Sequence, residues 1–275
     1  MSYLQKNYPL DDPGTVAACD EISIWSSHFG KLLLDHIPMR KGIRALDIGT
    51  GPGFPLIELA MRLGPTSKVS GIDPWQAAVD KVQWKIAFHG LNNAEMICAD
   101  AAEMPFPDKE FDLISCNLGI NNFDQPKKVV KACYRVMKRN GRLCLTTNAD
   151  GHFREFYSLY ESVLKELGMD DVLPNLKAQE LHRGNDESIR ELLEDARFSV
   201  VKIVRDRFTW RFADGTALLN HFLVVIGFLE GWRSVLPKEK EEMVFNIIEK
   251  KLNEQAEWDG ELKMTVPALY MEAVK

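Results

Sequence analysis

Residues 45–53 read ALDIGTGPG, and this stretch decides the fold. Ile43 to Ile48 make an apolar run of strand length that stops at a turn carrying Gly49, Gly51 and Gly53. A helical pattern, FPLIELAMRLG, follows from Phe54 and ends at Leu63, before the stop signals Gly64 and Pro65. A backbone with so few side chains turns tightly and lets a ligand come close. The helix behind it offers N–H groups that no intrahelical carbonyl uses. Strand, glycine turn and helix in this order predict a nucleotide-type cofactor site at the end of a parallel strand.

The glycine spacing narrows the cofactor. The dinucleotide fingerprint is GxGxxG, and Phe54 stands where its third glycine should be. A second strand, Lys68 to Asp73, ends in GIDP. Its aspartate lies about 20 residues past the glycines, where one carboxylate can accept from both hydroxyls of a ribose. Asp73 would also cap the next helix, which Pro74 opens without losing a needed N–H. A third strand, Ala94 to Ala99, runs into Asp100 and Ala101, and a fourth is Phe111 to Cys116. A fifth, Arg142 to Thr147, follows the segment RVMKRNG.

The G-x-G-x-G turn behind Asp47, then Asp73, Asp100 and the later PFPDKEFDLI and RVMKRNGRLCLTT segments, resemble the class I S-adenosylmethionine (SAM)-dependent methyltransferases. The resemblance is close over about residues 40–150 and holds only in outline beyond. It implies SAM as cofactor, with Asp100 accepting from the adenine amino group and the Ala101 backbone against the ring. Asp47 would hold the glycine turn through its N–H groups, and Asn117 joins the cofactor-binding set. The family's KPGG turn reads Lys138, Arg139, Asn140, Gly141 here. The resemblance is to members that methylate quinone precursors, sterols and other metabolites, and it implies a small, largely hydrophobic acceptor. It leaves the acceptor atom open among O, N, C and S.

Composition bounds the alternatives. The 275 residues, 45% hydrophobic, suffice for one large core or for a core domain with an elaboration. A net charge of −6 lacks the footprint of a nucleic-acid binder. Five cysteines without CxxC spacing read as reduced thiols in the cytoplasm, three of them (Cys98, Cys116, Cys144) in or beside buried strands. No metal-ligand cluster is visible. The start, MSYLQKNYPLDDPG, is not a signal peptide. The longest apolar run, Ala217 to Leu229, is too short and too polar to span a bilayer.

Alternating strands and helices predict an α/β fold: a doubly wound, Rossmann-like, seven-stranded and mostly parallel sheet. Residues 1–40 are read as an N-terminal helical cap, with one helix from Thr15 to Ile37 carrying Ile22, Trp25, Phe29, Leu32 and Leu33. Residues 41–275 form the catalytic domain, with a helical lid inserted at about 213–260. Helices are expected at 153–167 and 186–196. Strand six is Ser199 to Phe208, with VVKIV as its buried centre, and strand seven lies within Leu262 to Val274. Between them stand two helical patterns, Gly215 to Leu236 and Lys238 to Trp258. The first is apolar nearly all round and must be buried, either as a roof over the acceptor pocket or in a homodimer.

Methyl transfer needs donor and acceptor in line, and a base only where the acceptor must lose a proton. The loop after strand four, SCNLGINNF, lacks the (D/N/S)PPY motif and the Pro-Cys nucleophile of nucleic-acid methyltransferases. Asn117, Asn121 and Asn122 either orient a polar acceptor or shape that loop. His152, after strand five, is the candidate base, or else it marks the start of the next helix. Cys116 reads as core, and His28 and His221 as packed histidines. Tyr3 and Tyr8 read as packing residues, or as an arm over the cofactor. Two rival functions are an NAD-dependent oxidoreductase, against which Phe54 argues, and a non-catalytic SAM-binding scaffold.

Overall fold

The computed structural model describes residues 2–21, 24–182 and 184–275. Its strands are β1 (Arg44–Ile48), β2 (Lys68–Asp73), β3 (Ala94–Cys98), β4 (Phe111–Asn117), β5 (Met137–Asn148), β6 (Ser199–Phe212) and β7 (Leu262–Val274). They form one sheet in the order β3-β2-β1-β4-β5-β7-β6. The pairs β1/β2, β1/β4, β2/β3 and β4/β5 are parallel. β7 runs antiparallel to β5, from Arg142 opposite Val274 to Asn148 opposite Ala268, and β6 is antiparallel to β7 at the edge. This is the predicted mostly parallel, doubly wound sheet. Strand order reverses between β1 and β4, and in such sheets ligands bind at that reversal, beyond the carboxyl ends of the strands.

The helices are α1 (Pro13–Glu21), α2 (Ile24–His36), α3 (Leu56–Leu63), α4 (Gln76–Phe88), α5 (Pro126–Val136), α6 (Arg154–Glu166), α7 (Leu173–Leu181), α8 (Asp186–Asp195), α9 (Gly215–Asn220), α10 (Phe222–Val224), α11 (Glu230–Arg233) and α12 (Glu241–Asp259). A π-helical stretch, Val225–Leu229, joins α10 to α11. The chain divides into a sheet unit (Pro9–Asn148, Gly184–Asp206, Ala268–Lys275) and a helical unit (Met1–Tyr8, Ala149–Arg183, Arg207–Pro267). In the sheet unit, α3 and α4 pack on β2 and β3, and α2 packs on β4 and β5. Leu46, Leu59, Ile72, Val82, Ile114 and Phe29 are fully buried there. In the helical unit, α12 packs on α6 and α9. Its core is aromatic: Phe153, Phe156, Tyr160, Trp232 and Phe245 are each 0% exposed.

Several expectations change. The predicted Thr15–Ile37 helix is two helices, α1 and α2; Ile22 lies outside the described residues. α3 starts at Leu56 rather than Phe54, because Gly53, at φ +116, and Pro55, at its N-cap, are not helical. β5 begins at Met137, since Met137 already pairs with Phe111 before a register shift. VVKIV is not buried: Val201 is 53% exposed, as expected for an edge strand with one neighbour. The buried cysteines are Cys116, Cys133 and Cys144, whereas Cys98 is exposed. His28 is exposed on α2 and so is not a core histidine.

The apolar insert is not one helix. His221 takes an extended backbone (φ −64, ψ 130), and its Nδ1 accepts from the Leu223 N–H at 3.3 Å, ending α9 and starting α10. Leu218, Leu219, Val224, Val225, Phe228 and Leu229 are buried, whereas Phe222, Leu223 and Ile226 are half-buried, and Phe228 lies against His152, Phe153 and Trp232 at centroid distances of 5.1, 5.3 and 5.9 Å. Phe228→Asp would therefore bury a charge in a core, and it cannot report on a pocket wall alone. Tyr3 and Tyr8 pack in the same unit, Tyr3 with its hydroxyl on the Phe245 carbonyl at 3.3 Å and Tyr8 edge-on to Phe222 at 4.8 Å. Among the described residues no helix is long and apolar enough to cross a membrane, and no His, Cys, Asp and Glu cluster could hold a metal ion.

Candidate cofactor site

The loops that end β1, β2, β3 and β4 carry the predicted cofactor residues, and all belong to the sheet unit. The turn after β1 can be accounted for donor by donor. Gly49 N–H and Thr50 N–H donate to the Ile72 carbonyl at 3.0 and 3.3 Å, and Gly53 N–H donates to the Thr50 carbonyl at 3.2 Å. Gly51 N–H donates to Asp73 Oδ2 at 2.8 Å. Proline at 52 has no donor. Asp47 therefore does not hold these groups, contrary to the expectation from sequence. Asp73 does, from the end of β2.

Gly53 at φ +116 occupies a backbone region closed to residues with a Cβ. A carbon added to Gly49 would lie 3.6 Å from Gly119 Cα, so the loops after β1 and β4 meet closely at the strand reversal. Beyond β4, Leu118 is left-handed at φ 66, with its N–H on the Thr146 carbonyl at 2.9 Å. Such a backbone costs about 1–3 kcal/mol and persists only where its surroundings enforce it.

Asp73 is 9% exposed, and its Oδ1 accepts from Trp75 N–H at 2.9 Å. Burial pushes its carboxyl above the usual range, and the bonds from Gly51 and Trp75 offset part of that rise. A carboxylate offers about four lone-pair sites, so two remain for a diol. Its local bond to Trp75 and its reach toward a ligand are compatible. Asp100 is exposed, with one oxygen on the Ala102 N–H at 2.8 Å, and Ala101 is buried beside it. These acceptors around an open glycine turn fit the adenosine part of SAM. Both ends of the Asn117 amide are engaged, Nδ2 donating to the Ser26 carbonyl at 3.1 Å and Oδ1 accepting from Thr146 Oγ1 at 2.7 Å. Asn121 donates to Thr147 Oγ1 at 2.5 Å and Asn122 to the Leu118 carbonyl at 3.1 Å, contacts that shape the loop.

Asp47 is 0% exposed; its Oδ1 accepts from Ser115 Oγ at 2.6 Å, which ties β1 to β4. Burial pushes its carboxyl up to about 7 from an ordinary value of 3.8, against the Ser115 bond and with help from the Asp73 charge. The folded chain thus keeps a proton that the unfolded chain has released between about pH 4 and 7. Asp47 therefore costs stability progressively as pH rises through that window, up to about 4 kcal/mol above it. Asp47→Asn keeps the Ser115 bond and cannot ionise. In cofactor-free protein its Tm relative to the unsubstituted chain should climb between pH 5 and pH 8. A difference that stays constant across that range would disprove the assignment.

Burial likewise pushes the Cys116 thiol up to about 12, so it is core and not a nucleophile. His152 belongs to the helical unit. It is 2% exposed, and its ring stacks on Phe153 at 3.9 Å. It precedes α6 without capping it, since the N-cap is Phe153 at φ 52 with no side-chain bond.

The comparisons with known proteins agree with this geometry. The family model described as "Methyltransferase domain" matches residues 46–145, the span from β1 to β5. Residues 46–145 therefore carry a methyltransferase domain similar to the class I SAM-dependent methyltransferases. It is 32% identical over 133 residues to the demethylmenaquinone methyltransferase of Geobacillus stearothermophilus, a match covering 47% of this chain and 57% of that one. It is 28% identical over 175 residues to the demethylmenaquinone methyltransferase of Listeria welshimeri, covering 60% and 74%. The first of these matches spans less than two thirds of its relative. A crystal structure of a SAM-dependent methyltransferase from Aquifex aeolicus shares the fold, with a TM-score of 0.55 and 24% identity over 70% of this chain and 92% of that chain.

Three features escaped the sequence reading. Ser115 is the partner of Asp47, and no motif marks it. Gly30 lies inside α2 because a Cβ there would meet the Phe54 ring at 1.9 Å. A glycine within a helical pattern signals such a close approach. Lys85 of α4 reaches the glycine turn, which only the packing of α4 reveals.

Proposed function

We propose that this methyltransferase moves the methyl group of SAM to a small, largely hydrophobic metabolite. The observation that carries the reading is the glycine turn tied to Asp73, with Asp100 and Ala101 one strand further along. When bound, SAM supplies a methyl group that is already electrophilic on its sulfonium. The chain's own residues then bind and align. Asp73 accepts from the ribose, Asp100 and Ala101 meet the adenine, and Gly49, Gly51, Gly53, Asp47 and Asn117 shape the rest of the cofactor's bed. Alignment of donor and acceptor removes much of the entropic barrier.

The acceptor class is supported by the relatives' name. Demethylmenaquinone is the first acceptor to test. Label from methyl-labelled SAM should pass into the organic phase with it or with a lipid extract. S-adenosylhomocysteine (SAH) binding with no transfer to any extract would leave a binding protein instead.

His152 is proposed to take the acceptor's proton, on the strength of its place just beyond β5. His152→Gln should then lower turnover by about 10²-fold with little change in SAH affinity. Turnover unchanged from pH 6 to 9 would remove His152 from the chemistry.

A further inference from the structure

We propose that Lys85 is a positioning residue for the glycine turn and that it couples α1 to cofactor binding. The proposal rests on the SAM-binding reading of that turn. The Lys85 ammonium donates to the Pro52 carbonyl at 2.7 Å and to Asp20 Oδ1 on α1 at 2.5 Å. Pro52 stands between Gly51 and Gly53, and its carbonyl is its only backbone hydrogen-bonding group. Glycines impose little backbone preference, so the orientation of the peptides around them must come from outside the turn. Asp73 fixes the Gly51 amide N–H from one side at 2.8 Å, and Lys85 fixes the Pro52 carbonyl from another. Lysine suits this place because its ammonium has three donors on one atom and can serve both partners.

The pair is sheltered. The Lys85 side chain is 17% exposed and that of Asp20 31%. Such a pair is screened less than one on the open surface. The N-terminal segment meets the cofactor loops elsewhere as well. Trp75, two residues past Asp73, donates its Nε1 to the Leu10 carbonyl, and α2 makes room for Phe54 at Gly30. Through Lys85, the docking of α1 and the shape of the turn become one equilibrium. By linkage, whatever SAM or its product gains from the ordered turn also stabilises α1.

The test uses the full chain and SAH. Calorimetry should show Lys85→Met weakening SAH by about tenfold, the scale of one charge-assisted hydrogen bond. Asp20→Asn should weaken it less, and the double variant should be no worse than Lys85→Met. The cofactor-free Tm should barely move. In the parent chain, SAH should slow amide hydrogen exchange across Pro13–Glu21, and in Lys85→Met it should not. If the parent binds SAH and Lys85→Met binds it equally well, or α1 is protected equally in both, the positioning role is wrong. If the parent itself fails to bind SAH, the SAM reading falls and this proposal with it. Should Lys85→Met not fold, Asp20→Asn decides alone: unchanged affinity and unchanged protection of α1 would overturn the coupling.

Discussion

Asp73→Ala should weaken SAH binding by about 1.5–3 kcal/mol, which is about 10- to 150-fold in Kd. Two losses combine. The variant lacks the acceptor proposed for the ribose hydroxyls, and it frees the Gly51 N–H that Asp73 holds at 2.8 Å. Asp73→Asn should fare little better. Its oxygen can serve only one of the Gly51 and Trp75 donors, and its NH2 would face the other. Calorimetry gives the Kd, and a melt without cofactor separates binding from folding. Undiminished affinity in Asp73→Ala would remove the residue from the site. Absence of any heat with SAM or SAH in the unsubstituted chain would sink the cofactor reading altogether.

Trp232→Ala should give the largest loss of stability, about 3–5 kcal/mol. Trp232 is 0% exposed, and its ring stacks on Phe156 at 3.9 Å. Its Nε1 donates to Tyr157 Oη at 3.2 Å, and its carbonyl accepts from Tyr160 Oη at 3.0 Å. Truncation leaves a cavity among Phe153, Phe156 and Phe228 and takes the donor from Tyr157. Tyr160→Phe, which deletes one hydrogen bond and little volume, should cost about 1 kcal/mol. Thermal melts of the two variants should differ severalfold in their shifts. Equal shifts would mean that packing around Trp232 contributes little.

Much of the sheet unit was legible because its signals are local. β2 came out to the residue, and the end of α3 at Leu63 followed from Gly64, whose N–H closes on the Ala60 carbonyl at 3.2 Å. The helical unit was read less well. Its apolar insert obeys no single period, and His221 breaks it by capping its own successor. α7 carries Pro174 in its first turn and has too weak an apolar stripe to announce itself.

The sequence by itself determined the succession of the seven strands, the glycine turn and the acidic residues that end β2 and follow β3. Each of these depends on residues near one another in the chain, through backbone geometry, periodicity and capping. Only the tertiary structure decided which acid holds the turn. Asp47 and Asp73 are both carboxylates at strand ends, and their sequence positions favour neither. Pairing β1 with both β2 and β4 puts Ser115 against Asp47 and leaves the Gly51 N–H to Asp73. Lys85 and Gly30 acquire their roles in the same way, from contacts with residues far off in the chain, which no local pattern encodes.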